Sequence, residues 1–166
     1  MLRRTVLLFA FGLLVNWGSD RFPSLDQLRI MGVLQRFAIC YLVVTTLAVT
    51  ISHRFIPAII GVLLVGYALL LGLTGSYVDS PDSITAVVDH AILGQAHILG
   101  NYNTDPEGFL STIPSIAHTL LGFCAGRIIL SKQALADRIM SLTLMASLLL
   151  FTGYLLQDVC PINKKL

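Results

Sequence analysis

Charge is the scarcest commodity in this chain. Only 12% of its 166 residues are charged, against 55% hydrophobic ones, where soluble domains carry about 25% charged residues. A water-soluble core of this size does not need so much apolar surface, so the composition points to an integral membrane protein. A net charge of +2 is too small to indicate a nucleic-acid partner. The three cysteines, Cys40, Cys124 and Cys160, show no paired metal spacing, which excludes a zinc or disulfide framework and leaves small buried hydrophobes. No internal repeat, low-complexity tract or soluble domain is visible.

What is abundant is apolar sequence. Five runs, at about residues 5–17, 30–51, 55–73, 109–130 and 139–156, read as helices, because an open sheet cannot satisfy its backbone in lipid. The fold class expected is an all-α, polytopic transmembrane bundle forming a single domain. The first run is short for the ~20 residues that a bilayer core requires. Arg3 and Arg4 precede it in the manner of a signal peptide, but "NWGSDRFP" is a poor cleavage site, so a membrane span is the preferred reading.

Residues 76–112 contain no Lys or Arg, yet hold Asp79, Asp82, Asp89, Asp105 and Glu107. Arg3, Arg4, Arg54, Arg127, Lys132 and Arg138 fall on the opposite side if the spans alternate, which makes that side cytoplasmic. Arg21, Arg29, Lys164 and Lys165 depart from the rule. The outer loop at residues 76–108 is long for a connector, so function is sought there. Its middle, "SITAVVDHAILGQAHIL", has Ile84, Val87, Val88, Ala91 and Ile92 at helical spacing. It predicts a short amphipathic helix lying on the membrane or packing under the loop.

Three groups of residues can carry chemistry. Arg29 and Arg36 are seven residues apart with Gln35 alongside, on one helix face two turns apart. They form either an anion clamp, since guanidinium pairs well with phosphate, or an interfacial and a snorkelling arginine. Asp89, His90 and His97 lie in the loop, where an Asp can orient a proton-accepting His. Asp105 or Glu107 would complete a metal site there, but the spacing matches no metal signature and no metal is expected. In "NTDPEGFLSTIPSIAH", Asp105, Pro106 and Glu107 fit an N-cap, a first helical position and a first turn. Beyond them, Ser111, Ser115, His118 and Gly122 share a stripe. His118 is either an interhelical hydrogen-bond donor or a proton carrier, and Gly122 and Gly126 predict a close helix contact, within the chain or in a homo-oligomer.

The segments "RIMGVLQRFAICY", "VDHAILGQAHI", "DPEGFLSTIPSIAHTLLGFCAGRIIL" and "CPINKKL", in that order, resemble the heparan-α-glucosaminide N-acetyltransferase family of transmembrane acyltransferases, in particular a bacterial member. The resemblance spans nearly the whole chain. "GVLQR" and "DPEG" are specific together and weak alone, and Met31 stands where "RIPGVLQR" has proline. The resemblance implies a membrane enzyme, in a bacterial inner membrane, that moves acetyl from cytoplasmic acetyl-CoA to the amine of a terminal glucosamine or related amino sugar across the bilayer. It implies Arg29, Gln35 and Arg36 in the donor or transfer passage, and Asp89, His97, Asp105, Glu107, Asn163 and Lys164 around the acceptor mouth. The family's catalytic histidine lies in a loop that precedes the matched region, so the chain is expected to be an internal piece or a truncated product, inactive alone. A non-enzymatic amino-sugar carrier and an inactive gene product are the rival expectations.

Overall fold

The computed structural model describes residues 1–18, 28–77, 80–98 and 103–157. Among them are six α-helices and no strand: α1 (Leu2–Trp17), α2 (Val33–Thr50), α3 (Ile56–Thr74), α4 (Ile84–Leu93), α5 (Thr112–Ile129) and α6 (Leu135–Leu156). The all-helical architecture matches the sequence expectation. Among the described residues four helices, α2, α3 with its preceding 3₁₀ turn, α5 and α6, are long and apolar enough to cross a membrane; the first run, expected to be short, is α1. At 16 residues, α1 is about 24 Å long, short of a ~30 Å hydrocarbon core.

The bundle centres on α2, α3 and α5. Val44 of α2, Ile56 and Ile60 of α3, and Ala117 and Leu120 of α5 form one buried cluster. Pro57 stands in the first turn of α3, where a missing N–H costs nothing. α1 packs on α2, and α6 packs chiefly on α5. No residue of α6 is buried, and its exposed side chains include Leu144, Leu148, Leu150 and Phe151. In water such a helix would be a serious liability; in lipid it needs no cover.

The tight contact between α1 and α2 is set by one glycine. A Cβ on Gly12 would lie 2.6 Å from the Gln35 side-chain nitrogen, so only a residue without a side chain lets the buried Gln35 fit. Gly122 and Gly126 behave differently: a Cβ on either would meet nothing within 4 Å. The helix contact predicted for them is therefore absent within the described chain, because α6 does not pack against that stripe.

The loop after α3 folds as a cap on one end of the bundle. Ser83 Oγ accepts from the Ala86 N–H and starts α4, satisfying an otherwise orphan donor. The predicted short helix is there, and of the two placements expected for its aliphatic face the outward one is seen for Val87, Ala91 and Ile92. Its buried face carries Thr85, Ala86, Asp89 and Leu93, while Val87, Ala91 and Ile92 are exposed. Leu93 joins Met31 and Ile98 in a second small core, which ties the cap to the segment leading into α2.

Candidate functional site

The chain brings two distant stretches, residues 29–36 and 105–111, together beneath this cap. The sequence suggested that residues 105–107 begin a helix. The structure overturns this: α5 starts at Thr112. Residues 105–108 close a turn instead, with the Gly108 N–H donating to the Asp105 carbonyl at 2.8 Å and the Glu107 N–H to Asp105 Oδ1 at 2.9 Å. The hydroxyls of Ser111 and Thr112 both donate to the Gly108 carbonyl, at 3.0 and 2.9 Å. They take the acceptor that a continuous helix would reserve for a backbone N–H, which is how Ser and Thr compete with helix formation.

Freed from capping, Asp105 faces Arg29. Arg29 Nε donates to Asp105 Oδ2 at 3.1 Å, and Nη2 donates to Asp105 Oδ1 and to Glu107 Oε2. The Asp105 side chain is 0% exposed, that of Arg29 12% and that of Glu107 22%. A carboxylate so buried needs this bidentate partner. Burial acts to lower the Arg29 pKa, but the hydrogen bonds and charges of Asp105 and Glu107 outweigh it and hold the guanidinium above its ordinary value. Arg29 precedes α2 rather than sharing a helix face with Arg36, as the sequence spacing implied. Asn16 of α1 holds its carbonyl through a 2.9 Å bond.

Arg36 lies in α2 and reaches the same turn. Its Nη2 donates to the Pro106 carbonyl at 2.7 Å and to Ser111 Oγ, and its buried Nε has no hydrogen-bond partner among the described residues. Neither arginine snorkels away from the bundle. Both arginines grip one acidic turn, Arg29 through carboxylates and Arg36 through neutral oxygens.

Asp89 supports that turn from behind. It is 1% exposed, accepts from the Phe109 N–H at 2.8 Å and from the Asp105 N–H. Gly108 passes so close to the Asp89 carboxylate that any side chain at 108 would collide with it. Burial pushes the Asp89 pKa up, and the Asp105 charge adds to this; the two backbone N–H bonds and the His90 charge oppose it.

The loop histidines do not gather around Asp89. His97 Nδ1 lies 2.7 Å from the Leu28 carbonyl and His90 Nε2 lies 3.1 Å from the Asn103 carbonyl. A carbonyl only accepts, so each of these nitrogens carries its proton, and both rings act as ties between loop segments. The expected Asp–His pairing is therefore not made by these rings. No group of three or more His, Cys, Asp or Glu among the described residues is placed to hold a metal ion. Gln35 also departs from the expected passage. It is 1% exposed, turned towards Gly12, and neither polar atom of its amide has a partner among the described residues. Asn163 and Lys164 lie outside the described residues.

Between α2 and α5, adjoining the turn, is a cleft of about 340 Å³ lined by Val33, Arg36, Phe37 and Cys40 of α2, Glu107, and Ser115, His118 and Thr119 of α5. His118 Nδ1 lies 2.8 Å from the Pro114 carbonyl of its own helix. That bond is within α5, not between helices, and leaves Nε2 as the nitrogen with a lone pair. Phe37, Cys40 and Thr119 were not singled out from sequence. The signal was present: 33, 36, 37 and 40, and 115, 118 and 119, are spaced as single helix faces. No family model matches the chain, and no curated protein matches it.

Proposed function

We propose that the chain belongs to a transmembrane N-acetyltransferase that takes acetyl from acetyl-CoA and delivers it to the amine of an amino sugar on the other side of the bilayer. One observation carries this reading. "GVLQR" and "DPEG", the two motifs most specific in the resemblance, are 70 residues apart and meet in a single site through Arg36 and the Pro106 carbonyl. Arg29, just before "GVLQR", and Asp105, the first residue of "DPEG", are joined by a bidentate ion pair.

The chemistry required is modest in parts but demanding in place. A neutral amine attacks the thioester carbonyl, a C–N bond forms, the C–S bond breaks, and the thiolate takes up the proton that the amine gives away. The oxyanion formed on the way needs a fixed donor in a water-poor setting. Arg36 is suited to that role or to a phosphate of the donor, since it is the cation in the cleft wall and is held there by the turn. Arg29 is held by the Asp105 and Glu107 carboxylates through Nε and Nη2 and positions the turn.

The test is vectorial. Proteoliposomes carrying a full-length homologue that contains this region and the upstream loop histidine receive labelled acetyl-CoA on one face and glucosamine on the other. Labelled N-acetylglucosamine on the glucosamine side, lost with Arg36→Ala in a variant that still folds, supports the reading. Sugar uptake that proceeds without acetyl-CoA and leaves the sugar unmodified refutes it in favour of a carrier.

A further inference from the structure

The shape of the α2–α5 cleft bears on which acceptor reaches it. From Val33 to Cys40 the cleft follows α2 for about 10 Å, inside a helix apolar enough to span a membrane. Its two sides differ. Val33 and Phe37 form an apolar margin, 52% and 57% exposed on the helix surface. Arg36, Glu107, Ser115, His118 and Thr119 form a polar one. The polar margin sets a cation, Arg36, beside a carboxylate, two hydroxyls and an imidazole. A small water-soluble sugar has no use for the apolar margin, and a plain fatty chain has none for the polar one.

We infer that the cleft binds an amphiphile, an amino sugar joined through phosphate to a lipid chain, which enters sideways from the bilayer. Arg36 takes the phosphate, Ser115, His118 and Thr119 face the sugar ring, Glu107 faces its ammonium group, and the chain leaves along Val33 and Phe37. The term acceptor for this ligand rests on the acetyltransferase reading; the binding itself does not.

The experiment measures equilibrium binding to the protein in nanodiscs of a zwitterionic lipid. Four probes are compared: glucosamine phosphate, its hexyl ester, hexyl phosphate, and hexyl glucosaminide without phosphate. The hexyl ester is expected to bind at least about tenfold more tightly than each of the others. Phe37→Ala should remove most of its advantage over glucosamine phosphate. Arg36→Gln should remove its advantage over hexyl glucosaminide. Arg36 also ties the turn, so the Phe37 variant, which breaks no hydrogen bond of the loop, keeps the test open if the Arg36 variant misfolds.

Equal affinity for glucosamine phosphate would overturn the inference in favour of a soluble ligand. Equal affinity for hexyl phosphate would reduce the cleft to a lipid-headgroup site, and no binding of any probe would also overturn it. Acetyl transfer to free glucosamine without ester binding refutes the amphiphile and spares the reaction. Ester binding without acetyl-CoA-dependent transfer does the reverse.

Discussion

The capped end of the bundle and helix α6 are built on opposite terms. At the cap, Asp89, Asp105 and Gln35 are all but inaccessible, Arg29 is largely covered, and the two carboxylates opposite Arg29 are held by it. In α6 no residue is buried, and the helix packs chiefly on α5. Polar groups are expensive to bury and so must be placed exactly where partners await them, whereas apolar surface in lipid tolerates exchange. Sensitivity to substitution should therefore be concentrated at the cap and fade along α6.

Asp105→Ala should have the largest effect. It leaves Arg29 with Glu107 alone, and breaking a buried pair costs about 3–5 kcal/mol. In detergent the variant should unfold at markedly lower denaturant, and its folded yield should fall further than the activity of each folded molecule. The reverse pattern would make Asp105 a chemical group. Gly108→Ala comes next, at roughly 1–3 kcal/mol, because its methyl group collides with the Asp89 carboxylate. Limited proteolysis of the loop reads this directly. Asp89→Gly, made in the same chain, should relieve the collision; if it does not, the contact is not the cause.

Gln35 gives a prediction of the opposite sign. Its amide is buried with no hydrogen-bond partner among the described residues, and an unsatisfied buried polar group costs about 1–3 kcal/mol. Gln35→Met, close in volume and without that penalty, should stabilise the bundle. If it also abolishes activity while raising stability, Gln35 belongs to the passage after all.

The apolar helices were legible because composition and the backbone's need for partners in lipid leave few choices. α2, α3 and α5 begin and end within about three residues of where hydropathy alone puts them. α6 starts at Leu135, four residues earlier, because "LADR" is helical though not apolar. The cap was harder. Asp105-Pro106-Glu107 carries every local mark of a helix start. Those marks lose to an arginine 76 residues upstream, whose burial is relieved only by these carboxylates. For α4 the sequence left two placements open, and the hydrogen bonds that Phe109 and Asp105 offer to Asp89 turn the Asp89 face inward while Val87, Ala91 and Ile92 face out. Such choices are made by long-range pairing, which local periodicity does not encode.

A smaller effect separates the ends by pH. Asp89 has a raised pKa in the folded loop, so near and above its ordinary value of 3.8 the native state holds a proton that the unfolded chain releases. The stability contributed by Asp89 is complete below that value and declines as pH rises through the folded pKa. Hydrogen exchange of residues 105–111 should quicken across that interval. In Asp89→Asn the slope should flatten. α6 has no such group buried and should show no comparable change.

The smallest effect is expected at Gly122. A Cβ there meets open space, so Gly122→Ala should shift stability by no more than about 1 kcal/mol, in the stabilising direction, because alanine is the better helix former. This holds for an isolated chain in detergent. If a second copy packs its own helix against Gly122 and Gly126, the added methyl groups would hold the backbones apart, and the same substitution would weaken self-association. Crosslinking and sedimentation of Gly122→Ala against Gly122→Leu therefore decide the matter. Unchanged oligomeric state with both variants leaves the stripe facing lipid, like α6. A graded loss from Ala to Leu moves it into the class of the cap, as surface whose fit matters.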